Sequence, residues 1–300
     1  MIRSEPAKPH LDQELTDLNL PSAWKSGSLK YGELKMLAEG GTAKLFLTND
    51  KNLNRTVAYK TLHADLRNSE VETKRFLREA RVTANIQHPG TLPVYELGRD
   101  REGQLFFTMK KVDGRDLRKI LQDLAQEVPE VVDAFPLPRL LDILIQVCQT
   151  MAYAHDLGVI HRDLKPANII IGKFGEVYVL DWGLAKVTGA VSIIGKDFQP
   201  EPEKKDLQLT PVGRHYGTPM YMSPEIAQGD ESIDARSDVF ALGIILYEML
   251  TLKPFVEGED IIEIKKKLLE ETYPLPREKV PQKLIPKDRE AVCLKALKKK

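Results

Sequence analysis

The stretch HRDLKPAN at residues 161–168, with DWG following at residues 181–183, decides how this chain folds. Between these segments, residues 169–171 and 177–180 are apolar runs typical of short β-strands, and a glycine-containing turn separates them. Antiparallel pairing of the two runs brings the start of the first next to the end of the second. The polar segments that flank this hairpin are therefore predicted to meet at one edge.

The flanking residues carry the chemistry. Asn168 opens the first strand and Asp181 closes the second, so we expect their side chains to lie together. An amide oxygen and a carboxylate suit Mg²⁺, which takes few protein oxygens and completes its shell with phosphate oxygens. Asp163 is close enough in sequence to face the same cluster as a base that accepts a hydroxyl proton. Lys165 adds positive charge where a transferring phosphoryl group would develop negative charge.

These residues resemble the catalytic loop and the metal-binding triplet of the protein kinase superfamily. Residues 106–110, 158–161 and 175–183 are similar to the corresponding segments of bacterial, eukaryote-like (Hanks-type) serine/threonine kinases. Trp182 stands where phenylalanine is commoner, and we expect it to fill an apolar slot between a helix and the catalytic loop.

The resemblance implies an α+β, two-lobed protein-kinase fold with a small β-rich N-lobe and a larger α-helical C-lobe. Residues 1–30 would form an N-terminal tail, residues 31–112 the N-lobe and residues 113–300 the C-lobe. Apolar runs that suit a small sheet occur at residues 34–37, 44–47, 56–62, 91–97 and 105–109.

By the same resemblance, Lys60 in VAYK contacts the α- and β-phosphates of ATP, and Glu79 holds Lys60 in place. The glycine-rich loop that covers the phosphates falls on AEGGTA at residues 38–43. Gly40 and Gly41 are its glycines, and alanines stand at both ends of the G-x-G-x-x-G pattern. We expect those alanines to stiffen the loop and to weaken ATP binding.

The adenosine site also follows from the resemblance. Met109 would be the gatekeeper, and Lys110 to Val112 would form the hinge whose backbone pairs with adenine. Asp116 falls where the family often has an acid that contacts the ribose. The adenine ring would lie between Leu45, Ala58 and Ile170. Plain core packing is the alternative explanation for such apolar positions.

Two later positions complete the resemblance. Thr218, in GTPMYMSPE at residues 217–225, would brace Asp163 and Lys165 and favours serine or threonine acceptors over tyrosine. Asp238, at the start of the most apolar helical segment, matches the acid that anchors the backbone of the catalytic loop.

Arg162, directly before the expected catalytic base, marks kinases that are often controlled by phosphorylation of the activation segment. Its guanidinium is expected to have its charge offset only when a phosphate is added, unless an acid such as Asp206 already forms an ion pair with it. Thr210 is the leading candidate for autophosphorylation, with Thr188 and Ser192 behind it, and dimerisation would assist that reaction.

Composition limits the partners. Lys and Arg together number 44, as do Asp and Glu, so formal net charge is zero and a general nucleic-acid or membrane-surface footprint is not expected. The apolar run at residues 239–250 is too short to span a bilayer. The kinase domain is therefore expected to be cytoplasmic, with ATP and serine- or threonine-containing proteins as partners. Cys148 and Cys293 are expected to be buried, reduced thiols.

The C-terminal end raises a separate expectation. In the family, Glu225 pairs with an arginine in a late helix, shortly after a segment that resembles residues 290–297. The chain stops at Lys300 before such an arginine. We therefore expect a truncated final helix and a fragment of a longer protein, in which a downstream membrane segment is an open possibility.

Three other functions compete with that of a protein kinase. Small-molecule phosphotransferases share an Asp…Asn…Asp core but lack the Lys165-Pro166 pair and the later docking motif. A pseudokinase, an ATP-binding scaffold without turnover, is favoured by the altered glycine loop but opposed by the retained Lys60, Glu79 and catalytic-loop residues. A P-loop nucleotide hydrolase requires G-x-x-x-x-G-K-[ST], which does not occur.

Overall fold

A computed structural model describes residues 27–188, 219–230, 233–270 and 273–299. Its N-terminal part is a five-stranded antiparallel sheet with the strand order β1-β2-β3-β5-β4. The strands are β1 (Lys35–Glu39), β2 (Ala43–Asp50), β3 (Arg55–Leu62), β4 (Val94–Arg99) and β5 (Leu105–Lys110).

One long helix, α1 (Glu70–Asn85), packs on this sheet. The Ser69 hydroxyl caps it by accepting a hydrogen bond from the Glu72 amide at 3.4 Å. Phe76 and Ala80 face the sheet and form a small apolar core, in which Phe107 of β5 is also buried. This packing fixes the position of the helix against the sheet.

The C-terminal part is mainly helical. Its helices are α2 (Leu117–Ala125), α3 (Pro129–Ala134), α4 (Leu137–Asp156), α5 (Pro224–Gln228), α6 (Arg236–Thr251), α7 (Ile261–Leu269), α8 (Pro276–Lys279) and α9 (Lys287–Ala296). Nearly every residue of α6 is buried, including both its polar and apolar positions. A helix that is covered on all sides lies at the centre of a domain. The predicted division into a β-rich N-terminal part and a helical C-terminal part is confirmed.

Two further small sheets occur among the described residues after residue 113. In the first, β6 (Gly114–Asp116) pairs with β8 (Ile169–Gly172), which pairs with β9 (Val177–Val179). In the second, β7 (Val159–Ile160) pairs with β10 (Lys186–Val187). All three pairings are antiparallel, and the pairing of β8 with β9 confirms the hairpin predicted from residues 169–180.

Two side-chain expectations need correction. Cys293 is fully buried, as predicted, but Cys148 is exposed because it lies on the outer face of α4. Glu225 is only half-buried, and its Oε1 accepts a 2.6 Å hydrogen bond from the Ser237 hydroxyl. Glu225 therefore has a polar partner without an arginine. No helix among the described residues is both long and apolar enough to cross a membrane.

A buried carboxyl group lies where α6 meets the segment after residue 218. Glu248 is 8% exposed, and its Oε2 accepts a 2.8 Å hydrogen bond from the Tyr221 hydroxyl. Burial raises the pKa of Glu248 to about 7, although the Tyr221 hydroxyl and the nearby Arg118 oppose this change. A carboxyl whose pKa is raised by folding costs stability once the pH exceeds its ordinary pKa.

Glu248→Gln is therefore expected to gain stability relative to the parent chain as the pH rises from 5 to 8. At pH 5 the folded parent keeps Glu248 protonated and resembles the amide, whereas at pH 8 it holds an ionised, buried carboxylate. The gain is of order 2–3 kcal/mol, because a tenfold change in a protonation equilibrium corresponds to about 1.4 kcal/mol. Urea unfolding at both pH values measures it, with the exposed Glu102→Gln as the control. A difference between variant and parent that does not change with pH would contradict the assignment.

Candidate active site

A cleft of about 870 Å³ is formed jointly by β1, β2, α1 and the loops around β8 and β9. Most of the residues predicted from the sequence line it: Gly40, Gly41, Leu45, Lys60, Glu79, Met109, Asp163, Lys165, Asn168 and Asp181. These residues come from positions far apart in the chain, so the fold brings the predicted site together in one place.

Five predicted residues are not among those that line the cleft: Ala58, Lys110, Val112, Asp116 and Ile170. Ala58 is buried in the sheet opposite Met109. Asp116 uses its carboxylate to cap α2, where Oδ1 accepts a 2.8 Å hydrogen bond from the Lys119 amide. The Lys110 ammonium donates to a tyrosine hydroxyl on β9 at 2.6 Å. Thr218 lies outside the described residues.

The cleft contains an ion pair between sheet and helix. In β3, Lys60 lies opposite Leu45 on one side and Phe107 on the other, and its ammonium donates to Oε1 of Glu79 on α1. Burial would lower the pKa of Lys60, but the charges of Glu79 and Asp181 outweigh it and raise that pKa. Lys60 is therefore charged at neutral pH, and it faces acids from both parts of the protein.

The loop before β8 holds the predicted base. Asp163 is buried, and its Oδ2 accepts hydrogen bonds from the Lys165 ammonium at 2.6 Å and from the Asn168 amide nitrogen at 3.3 Å. The same Asn168 nitrogen donates to the Asp163 carbonyl at 2.9 Å. Because its nitrogen is used in this way, Asn168 can offer its amide oxygen to a cation.

Asp181 reaches this loop through the hairpin. Ile169 pairs with Val179, and the Leu180 amide donates to the Asn168 carbonyl at 2.8 Å. The next residue, Asp181, has a left-handed backbone with φ of 66°, which turns the chain into the cleft. The prediction that the hairpin delivers Asn168 and Asp181 to one edge is confirmed.

Electrostatics keep the Asp181 carboxyl ionised. Its burial on the cleft floor would raise its pKa, but the charges of Lys60 and Lys165 and the Gly183 amide outweigh this and lower it. Asp181 is nevertheless accessible to solvent in the open cleft. An accessible, ionised carboxylate next to an amide oxygen is a suitable ligand pair for a hard cation.

The donor set also limits which metal fits. Among the described residues, no group of three or more histidine, cysteine, aspartate or glutamate side chains could hold a metal ion. A site built from Asp181 and Asn168 alone suits Mg²⁺, which keeps several waters or phosphate oxygens in its shell. It does not suit a structural zinc ion, which needs four protein ligands.

The predicted anchor of the loop is confirmed. Asp238, at the start of α6, is 1% exposed and accepts 2.9 Å hydrogen bonds from the backbone amides of His161 and Arg162. The sequence did not reveal a third contact, between Oδ2 and Nε2 of His155 at 2.7 Å. His155 lies near the end of α4, so one carboxylate ties two helices to the loop.

Trp182 and Arg162 were also assigned roles from the sequence. Trp182 is fully buried, its ring centroid is 4.6 Å from that of His161, and its short 3-10 helix packs on α1. It therefore fills the predicted slot. Arg162 was expected to wait for a phosphate, but its Nε already donates to the Leu184 carbonyl at 2.6 Å. This carbonyl is neutral and does not offset the charge of the guanidinium, so the expected pairing of Arg162 with a phosphate or an acid stays a prediction.

The predicted modification sites are only partly visible. Thr210, Ser192 and the acid Asp206 lie outside the described residues. Thr188 is described and exposed, and its hydroxyl donates to the Gly158 carbonyl at 3.0 Å.

Known proteins resemble this chain over most of its length. A family model described as "Protein kinase domain" matches residues 31–295. A protein named "Serine/threonine-protein kinase PknD" from Protochlamydia amoebophila is 36% identical over 271 residues, which cover 86% of this chain and 26% of that protein. The protein of the same name from Chlamydia muridarum is 34% identical over 283 residues, covering 89% and 29%. The chain thus spans less than a third of the length of these relatives.

Asp238→Ala is expected to lower the free energy of unfolding by about 2–6 kcal/mol, because it leaves two buried amides unpaired at about 1–3 kcal/mol each. Asp238→Asn keeps one acceptor oxygen and should lose less. Urea unfolding of both variants measures the series, and Asp288→Ala, an exposed acid on α9, is the matched control. Equal stabilities of the Asp238 and Asp288 variants would show that the anchor contributes nothing.

Proposed function

The chain belongs to the protein kinase domain family, and on that basis we propose that it transfers the γ-phosphoryl group of ATP to serine and threonine hydroxyls of proteins. The observation that carries the proposal is the meeting of Asp163, Asn168 and Asp181 with the Lys60–Glu79 ion pair in one cleft.

Each residue in the cleft has a distinct task. Asp163 orients the acceptor hydroxyl and takes its proton as the oxygen–phosphorus bond forms and the bond between the β- and γ-phosphates breaks. Lys165 donates to Asp163 and offsets negative charge on the transferring group. Lys60, held by Glu79, binds the α- and β-phosphates of ATP, and ADP leaves with the electrons of the broken bond.

Protein kinases use ATP with a divalent metal, and we propose Mg²⁺ or Mn²⁺ at Asn168 and Asp181. When bound, the metal neutralises the phosphate oxygens and orients them for in-line transfer. The part of the protein is to keep the Asp181 carboxyl ionised and to leave the Asn168 amide oxygen available.

We propose an adenosine subsite at the positions that the family resemblance implies. Leu45 and Met109 line the cleft, which supports their proposed contact with adenine. The hinge at Lys110 to Val112 would bind adenine through its backbone, and Ala58 and Ile170 would lie at its faces. Asp116 would contact the ribose, and its carboxylate would cap α2 at the same time. We also propose that Thr218 braces Asp163 and Lys165.

The proposal extends to the whole domain. Residues 31–112 would act as the N-lobe and residues 113–300 as the C-lobe, with residues 1–30 as a tail. We propose a cytoplasmic location and dimerisation that supports autophosphorylation. The assembled Lys60–Glu79 pair and catalytic loop favour an enzyme that turns over its substrates. They are not needed in a scaffold that only binds ATP.

Asp163→Ala and Asp181→Ala are each expected to lower phosphoryl transfer by roughly a hundredfold or more, because each removes a principal group of the transition state. Transfer of radiolabelled phosphate from ATP with Mg²⁺ to a generic protein acceptor measures this loss. Asp133→Ala, an exposed acid on α3, should keep full activity. Thermal melts should show all three variants folded. Undiminished transfer by either cleft variant would overturn the assignment.

Autophosphorylation provides a second test. Incubation with Mg-ATP is expected to add phosphate within residues 188–218, first at Thr210 and then at Thr188 or Ser192. Mass spectrometry of the peptides measures it, and Asp163→Ala should carry no phosphate there. If the segment stays unmodified while a protein acceptor is phosphorylated, self-modification is not part of the activity.

A further inference from the structure

A histidine outside the resemblance holds the loop that covers the cleft. His63 follows β3, directly after Leu62, the last residue that pairs with β2. Its backbone amide donates to the Thr42 carbonyl at 3.0 Å, and its ring Nε2 is 2.8 Å from the Gly40 carbonyl oxygen. Both acceptors belong to the loop at residues 38–43, which lines the cleft.

The ring must act as a donor in this contact. A carbonyl oxygen only accepts hydrogen bonds, so Nε2 carries a hydrogen, in either the neutral or the protonated ring. The other ring nitrogen, Nδ1, lies 3.5 Å from Oε1 of Glu39, and Lys44 approaches the same oxygen at 3.4 Å. The His63 side chain is 14% exposed, whereas Glu39 is 54% exposed. Gly40 and Glu39 are both exposed, so the contact to the carbonyl is distinguished by its shorter distance.

Because each peptide unit is planar, the contacts of the two carbonyls with His63 also fix the directions of the backbone amides that follow them. In a trans peptide, the carbonyl of one residue and the N–H of the next point in opposite directions. Fixing the Gly40 and Thr42 carbonyls on His63 directs the Gly41 and Ala43 amides to the opposite side of the loop. Residues 40–43 all line the cleft and His63 does not, so carbonyls that point to His63 point away from the cleft, and the amides of the same peptides point towards it. Backbone amides that face a cleft are donors for phosphate oxygens.

A hydrogen bond within the loop has a different effect. It runs from the Gly40 amide to the Ala43 carbonyl at 2.9 Å and closes a tight turn. That bond sets the shape of the turn but not which way its carbonyls point relative to the cleft. The two bonds from His63 restrain that direction, since they come from the neighbouring strand end.

We propose that His63 is a positioning residue for nucleotide binding, which holds the phosphate-covering loop with its carbonyls away from, and its amides towards, the γ- and β-phosphates of ATP. This inference rests on the proposed kinase function, because it assigns the loop to phosphate. Without the side chain, the Gly40 carbonyl would lose its partner and could turn towards the phosphates, while the backbone bond from His63 to Thr42 would remain. Affinity for ATP should fall, while the groups that perform the transfer are untouched.

The test is a variant series of His63→Ala, His63→Asn and His63→Gln in the full chain. One hydrogen bond is worth about three- to tenfold in affinity, so Ala should raise KM for ATP by that factor and change kcat less than about twofold. Gln places its amide nitrogen near the position of Nε2 and should restore KM, whereas the shorter Asn should not. Arg67→Ala, on the same connection but bonded to Gln104, is the control and should behave as the parent.

Amide hydrogen exchange of residues 40–43 gives a readout that needs no activity. Exchange there should speed up in the Ala and Asn variants and return towards the parent rate in Gln. Unchanged KM and unchanged exchange in Ala and Asn would overturn the inference, as would a loss of kcat at constant KM. If the parent transfers no phosphate, the kinase proposal fails, and the exchange series still decides whether His63 orders the loop. If the His63→Ala variant does not fold, the inference is tested by comparing the His63→Asn and His63→Gln variants.

Discussion

The site depends on one buried carboxylate that is surrounded by donors. Asp238 accepts hydrogen bonds from two consecutive backbone amides and lies 2.7 Å from a histidine ring nitrogen. One of those amides belongs to Arg162, which has a left-handed φ of 65° that a side-chain-bearing residue adopts only at a cost. The anchor offsets that cost and sets the direction in which Asp163 leaves the turn. It can do so because nearly every residue of α6 is buried, so the helix that carries Asp238 packs against the core on all sides.

A second constraint is the balance of charge across the cleft. Lys60 and Lys165 face Glu79, Asp163 and Asp181, so neither sign is in large excess before a ligand arrives. Removing one member leaves another charge without a partner in a site partly shielded from water, which is costlier than losing the interaction itself. This coupling links α1 to the hairpin, since Glu79 is on the helix and Asp181 is on the loop after β9. The position of the helix therefore sets the electrostatic environment of the metal ligands.

The sequence correctly predicted those parts of the site that depend on residues close together in the chain. The hairpin needed only strand periodicity and a turn, and it placed Asn168 beside Asp181 correctly. The motif resemblance placed Lys60, Glu79 and Asp238. What failed or was missed depends on long-range packing. The outer face of α4 exposes Cys148, the start of α2 takes the Asp116 carboxylate as its cap, and residues 91–93 precede β4 rather than join it. His63 belongs to no motif, so only the folded sheet shows which loop it touches.

The altered glycine loop shows why a motif mismatch need not be a structural defect. Glycine is required where φ is positive or where a side chain has no room. Ala38 and Ala43 meet neither condition, because they lie in β1 and β2 and pair with Leu45 and Leu62 in antiparallel register. Gly40 is not in the left-handed region either. The alanines therefore cost the backbone nothing at the strand ends, and their presence does not distort the loop between them.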